Sequence, residues 1–219
     1  RGAFSLPMIE AFMKKVHCSS LKAKASDKTD IKIILHDRRT KINSEMGFSI
    51  KSQLGGDSTL LNASQATNFN FKIEGGEFSD DEINRINSLE TKHKVLDRVN
   101  AIKEKGGRFV FDMVDNKIFY ENLMMLDGHL PIIIAYLLLE QLNTSDSKLK
   151  DLVKKVSEIN PLQFNPERVF SIYAYKVKNL LTSVALGLMP NKAWDGRYDA
   201  NGGYMVIKES GDILCYHFY

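Results

Sequence analysis

Asp30 and Lys51 are the residues whose types and spacing could do chemistry together in this sequence. A carboxylate can hold a divalent cation. An amine about one hydrogen bond away can orient or activate a water for attack on a phosphodiester, while the ion offsets the charge developing on the phosphate. Mg2+ suits so sparse a donor set, because it keeps several waters and needs only one or two carboxylates beside substrate phosphate oxygens. In an extended strand Ser49, Lys51 and Gln53 fall on one side, and Gln53 could offer an amide oxygen to the ion or its water.

A β-hairpin over residues 28–53 must position this pair. Ile31, Ile33 and Leu35 alternate with Asp30, Lys32 and His36, and Phe48 and Ile50 alternate with Ser49, Lys51 and Gln53, which is the period of half-buried strands. The polar stretch DRRTKINSE supplies the turn and carries Arg38 and Arg39 as candidate DNA contacts. A turn centred near Thr40 sets residue 30 opposite residue 50. Asp30 then falls beside Ser49 and Lys51, the Ile50 carbonyl faces Asp30 as a further ligand, and Phe48 and Ile50 point into a core.

Other elements can feed the same site. Ser5 and Pro7 open a helix to about Cys18 with Ile9, Phe12, Met13 and Val16 as its stripe, and Glu10 beside that stripe could bring a supplementary carboxylate. Glu45 and Asp57 are the alternatives. After Gln53, LGGDSTLLNASQATNF has two glycines that permit close backbone approach, and Thr59, Asn62 and Gln65 are donors suited to phosphates or base edges. The loop MPNKAWDGRYDANGG sets Arg197 and Asn201 near the single Trp, a combination fit for reading bases or for anchoring the loop. Between these lie a strand at 68–74 and a capping box, Ser79 with Glu82, that opens a long helix ending at Gly106. A strand follows at 108–114, then one or two helices over 118–142, a further amphipathic segment from Asp146, and a helix from Asn165-Pro166 to about Leu186.

Composition is that of an ordinary globular protein: 219 residues, 43% hydrophobic and 26% charged. Net charge is only +3, but residues 1–56 hold eleven Lys or Arg against five Asp or Glu, a basic bias that suits a phosphate backbone. Two cysteines without CxxC spacing offer neither a zinc motif nor a disulfide framework, so a reducing, cytoplasmic location is expected. The apolar run at 130–139 is too short to cross a bilayer and reads as a buried helix, so no membrane partner is expected. Without an initiator Met, the chain reads as part of a longer one.

TDIKIILHD, GFSIKSQLGGDSTLLNASQATNF and NGGYMVIKESGDILCYHFY together resemble type II restriction endonucleases of the HpaII family, within the wider PD-(D/E)xK nucleases. The resemblance spans most of the chain. It implies Mg2+-dependent hydrolysis of double-stranded DNA at CCGG, with Asp30 and Lys51 on the catalytic aspartate and lysine. It also implies a homodimer on the palindromic site and a cognate DNA methyltransferase as biological counterpart. Ser49 departs from the wider pattern, since Asp or Glu ordinarily stands two before the lysine. Other cutters of CCGG-like sites are similar in having Ser there, with a carboxylate from a neighbouring helix.

The expected architecture is α+β, a restriction-endonuclease-like core with a central mixed β-sheet flanked by helices. One nuclease domain over 1–219 would contain a catalytic hairpin at about 28–53, a helical middle at about 79–188 and a C-terminal hairpin at about 203–219. Its catalytic set is Asp30, Lys51, Gln53 and Glu10, with Asp30, Glu10 and the Ile50 carbonyl on the metal. Its DNA contacts are Ser49, Thr59, Asn62, Gln65, Arg38, Arg39, Arg197 and Asn201. The competing expectation is a DNA-binding or modification-sensing module that keeps the scaffold without turnover, on the ground that Ser49 stands where an acid is usual.

Overall fold

The alternating stretches at the two ends of the chain form strands β1 (Ile31–His36), β2 (Asn43–Ser52), β5 (Gly203–Ile207) and β6 (Ile213–His217), which join in one sheet of order β1-β2-β5-β6. β2 and β5 run parallel and the other pairs antiparallel, so the sheet is mixed. The computed structural model describes residues 7–15, 29–53, 61, 64–143 and 148–217. Where one domain over 1–219 is expected from sequence, its contacts cluster into two units, Arg1–Gly55 with Tyr198–Tyr219, and Gly56–Arg197.

The first unit holds the sheet and helix α1 (Pro7–Lys15). Its parallel joint depends on a glycine. A Cβ on Gly47 would meet the Asp199 carbonyl at 2.3 Å and the Thr29 side chain at 2.8 Å, so only glycine lets residues 199–202 cross β2 there. The Asn201 side chain fastens the crossing, accepting from the Gly47 N–H at 2.7 Å and donating to the Glu45 carbonyl at 3.3 Å. Thr29, buried, donates its hydroxyl to the Asp199 carbonyl at 3.0 Å.

The hairpin turn is tighter than the sequence reading has it. β2 begins at Asn43 because residues 37–42 suffice to reverse the chain: Asp37 N–H donates to the Ile42 carbonyl at 3.0 Å, and Asp37 Oδ2 accepts from the Thr40 hydroxyl at 2.8 Å. Ile31 therefore lies opposite Phe48. The turn centres between Arg39 and Thr40, half a residue earlier than expected.

The second unit holds β3 (Phe69–Glu74) paired antiparallel with β4 (Arg108–Val114), and helices α2 (Asp80–Asn87), α3 (Lys94–Glu104), α4 (Lys117–Leu126), α5 (Leu130–Leu142), α6 (Leu149–Ile159) and α7 (Val169–Leu186). α5 is apolar all round and belongs at the centre of a core. Leu130 and Ile134 enter one cluster with Phe119, Leu123 and Leu180, while Ile133 and Leu137 enter another with Val156, Tyr173 and Val177. Among the described residues no single helix is long and apolar enough to cross a membrane.

The long helix expected from Ser79 to Gly106 is broken in two. Arg98 reaches back from α3 to the carbonyls of Asn87, at 2.6 Å, and Leu89, at 2.9 Å. Those donors satisfy the end of α2 and favour the turn over continued helix. With its mixed four-stranded sheet and its helices, the chain has the α+β class read from sequence.

Candidate active site

The register of β1 on β2 decides whether Asp30 and Lys51 can work together. Side chains alternate along a strand, so residue 30 opposite residue 50 would have set Asp30 on the side away from Lys51. With Ile31 opposite Phe48, continuing the pairing sets Asp30 opposite Ser49, on the face shared by Gly47, Ser49 and Lys51 of β2 and Tyr204 and Val206 of β5. The Asp30 N–H donates to the Phe48 carbonyl at 2.9 Å and extends the ladder by that one residue. Beside the pair, Tyr204 and Tyr216 stack across β5 and β6 with ring centroids 4.8 Å apart.

The Asp30 carboxylate uses one oxygen inward. Its Oδ2 accepts from the Ile50 N–H at 2.5 Å and from the Ser49 hydroxyl at 3.2 Å. No described residue donates to Oδ1. Lys51 is half-buried and forms no ion pair with a described residue. Lys51 stands on the same face of β2 as Ser49, opposite which Asp30 lies.

Three expectations change in this frame. Ser49, read as a DNA contact, is 1% exposed with its hydroxyl turned onto Asp30. Ile50, read as a core residue, is 37% exposed, because the buried side of β2 at that point is the one carrying Gly47 and Ser49. It is also the Ile50 amide, not its carbonyl, that meets Asp30.

The second carboxylate has no settled place. Glu45 shares the Asp30 face but stands four residues before Ser49, roughly 13 Å along the strand, and it pairs with Lys32 at 3.0 Å. Glu10 lies exposed in the first turn of α1. Asp57 falls outside the described residues, as do Thr59 and Asn62. Among the described residues no three His, Cys, Asp or Glu side chains come together. A carboxylate oxygen with no described donor, on the face that carries Lys51, fits Mg2+, which draws most of its shell from water and phosphate.

The remaining predicted contacts are dispersed. Gln53 is exposed just past β2, its N–H donating to the Ile207 carbonyl at 2.9 Å. Arg38 and Arg39 are exposed in the hairpin turn and pair with no described carboxylate. Their neighbour Asp37 is held below the ordinary carboxyl value by the Thr40 hydroxyl and then by the Arg39 and Thr40 amides. Asn201 has both ends of its amide engaged by the β2 backbone. In the second unit, Gln65 is exposed at the start of a 3-10 turn, and Arg197, 89% exposed, approaches Asp195 at 3.8 Å.

Sequence reasoning missed Asn122. It is 2% exposed and holds the loop after α7 from beneath, donating to the carbonyls of Met189 at 3.0 Å and Lys192 at 2.8 Å and accepting from the Trp194 N–H at 2.9 Å. Trp194 packs on the first core cluster and donates its indole N–H to the Arg197 carbonyl at 2.7 Å. An isolated Asn within the apolar pattern of α4 was the available signal.

The model of the HpaII restriction endonuclease family matches residues 1–219. The chain is 44% identical over 217 residues to the Type II restriction enzyme HpaII of Haemophilus parainfluenzae, an alignment that covers 99% of this chain and 59% of that relative. It thus spans about three fifths of the length of the curated relative it matches. No solved structure matches it. The family's match from first residue to last, with the Asp30–Lys51 hairpin inside it, places this chain in the HpaII restriction endonuclease family.

Proposed function

We propose that this chain carries the catalytic site of a type II restriction endonuclease that hydrolyses phosphodiesters of double-stranded DNA with Mg2+ at a CCGG-like site. The observation that carries the reading is Asp30 and Lys51 on one face of adjacent strands, with Asp30 Oδ1 free of any described donor. Family membership and 44% identity to the restriction enzyme HpaII support it.

Asp30 would hold the divalent ion, with Glu10 as an additional donor and Gln53 assisting. Bound Mg2+ supplies positive charge that offsets the charge building on the scissile phosphate. Lys51 aims its amine at the attacking water, which fixes the oxygen in line with phosphorus. A new P–O bond forms from that water as it gives up a proton to solvent, the P–O bond to one deoxyribose oxygen breaks, and the leaving oxygen takes up a proton from a neighbouring water. Arg38 and Arg39 in the first unit, and Gln65 and Arg197 in the second, are the exposed described side chains suited to phosphates and base edges. A palindromic site cut in both strands calls for two copies related by a two-fold axis. A restriction enzyme of this kind works in the cytoplasm beside a methyltransferase that protects the host's own sites.

Cleavage of plasmid DNA in Mg2+ by the full-length protein tests this against its Lys51→Ala and Asp30→Asn variants. Both substitutions should lower the cleavage rate by about 100-fold or more while gel-shift binding of a CCGG duplex persists. Equal cutting by Lys51→Ala would remove the lysine from the mechanism. Binding without cutting by the unaltered protein would favour the DNA-binding or modification-sensing module, the reading to which Ser49 in place of an acid lends weight.

A further inference from the structure

Ser49 is buried to 1% exposure on the strand that carries Lys51. Its hydroxyl donates to Asp30 Oδ2 at 3.2 Å, and the Ile50 amide donates to the same oxygen at 2.5 Å. The Asp30 main chain is pinned in turn by its N–H on the Phe48 carbonyl at 2.9 Å. An aspartate carboxylate rotates softly about its last torsion. Two donors converging on one oxygen remove that freedom and fix which oxygen faces outward.

We propose that Ser49 is a positioning residue: by holding Asp30 Oδ2 it presents Oδ1 to the divalent cation on the face that carries Lys51. This rests on the reading of Asp30 as the metal ligand. It also gives a physical reason for a hydroxyl at this position. Without a bound cation a second carboxylate at 49, within hydrogen-bond reach of the first, would repel Asp30, whereas a hydroxyl donates to it and holds it in place before the ion arrives. The hydroxyl is already committed to that donation, so Ser49 contacts neither the metal nor DNA.

The test is Mn2+ binding to the full-length protein without DNA, read from the loss of the free-ion paramagnetic resonance signal, with folding checked by circular dichroism melts. Ser49→Ala should bind Mn2+ about 10-fold more weakly, the loss typical when a partner of a metal ligand is removed. Ser49→Thr, which keeps the hydroxyl, should restore most of the affinity, and raising the Mg2+ concentration should recover part of the cleavage lost in Ser49→Ala. Asp30→Asn should abolish the binding. A folded Ser49→Ala protein that binds Mn2+ as well as the unaltered one, while Asp30→Asn does not, overturns the role of Ser49 and leaves Asp30 as ligand. Unchanged binding by Asp30→Asn overturns both. Should Ser49→Ala fail to fold, Ser49→Cys, close in size and a poor donor, decides by the same titration.

Discussion

At the scale of single residues, the side chains that organise this protein are polar ones buried against backbone. Asn122 is the clearest case, because it offers two donors and an acceptor to three backbone groups of one loop. Asn122→Ala would remove three hydrogen bonds to that loop, at a cost of about 2 kcal/mol. The effect should concentrate in the loop it supports. Trp194 is the only tryptophan of these 219 residues, so the emission of this chain reports on that loop directly. We expect Asn122→Ala to shift Trp194 emission to the red and to weaken DNA binding through Arg197, while the Asp30–Lys51 hairpin keeps its Mn2+ affinity. An unchanged emission spectrum would show that the loop holds its place without Asn122. Residues of this sort are hard to read from sequence, since an Asn in a helix signals nothing about carbonyls 67 and 70 residues away.

At the scale of elements, what was legible was local. The S-x-x-E box at Ser79 forms as expected: the Ser79 hydroxyl accepts from the Glu82 N–H at 3.3 Å, and Glu82 accepts from the Ser79 N–H at 3.1 Å. Strand alternation likewise located β1, β3 and β4 closely, because period-two patterning depends on neighbours alone. What was not legible depended on distance along the chain. The break between α2 and α3 comes from Arg98, 11 residues beyond Asn87, and the side of β2 that is buried is set by a crossing held by Asn201, 154 residues from Gly47. A half-residue error in the centre of the turn is a one-residue slip in register, enough to move Asp30 from the Ile50 side of β2 to the side of Ser49 and Lys51. The capping box also carries a pH dependence. The Glu82 carboxyl is held at about 2, first by the hydrogen bond from Lys105 and next by the Ser79 amide, against an ordinary value of 4.5. A folded-state value below the unfolded one means the stabilisation is complete above pH 4.5 and is lost as pH falls toward 2. Circular dichroism of the folded protein on acid titration should show the Glu82→Gln variant closest in stability to the unaltered protein at low pH and furthest below it at neutral pH. A constant difference between the two across that range would exclude the carboxylate as the cause.

At the scale of the whole molecule, apolar burial among the described residues is distributed unevenly between the two units. Every fully buried large apolar side chain among the described residues lies in Gly56–Arg197, and Ala200 is the one buried apolar residue described in the other unit. In the sheet unit Ile33 is 41% exposed, Leu35 51% and Ile213 61%. Fully burying such a side chain contributes about 1.5–3 kcal/mol, so α5, with Ile133, Ile134 and Leu137 all at 0% exposure, sits in a far deeper local minimum than β1. Proteins open locally at free energies set by such differences, and elements that bind ligands come from the less stable end. Amide hydrogen exchange of the full-length protein should therefore find β1 and β2 exchanging at least 10-fold faster than α5 in the absence of ligand, a gap of about 1.4 kcal/mol. Because a ligand that binds only the folded hairpin stabilises it by mass action, a CCGG duplex with Mg2+ should slow exchange in β2 while leaving α5 nearly unchanged. Protection of β2 equal to that of α5 without ligand would mean that the hairpin draws its stability from contacts beyond the described residues, and the slowing on DNA binding would then be absent.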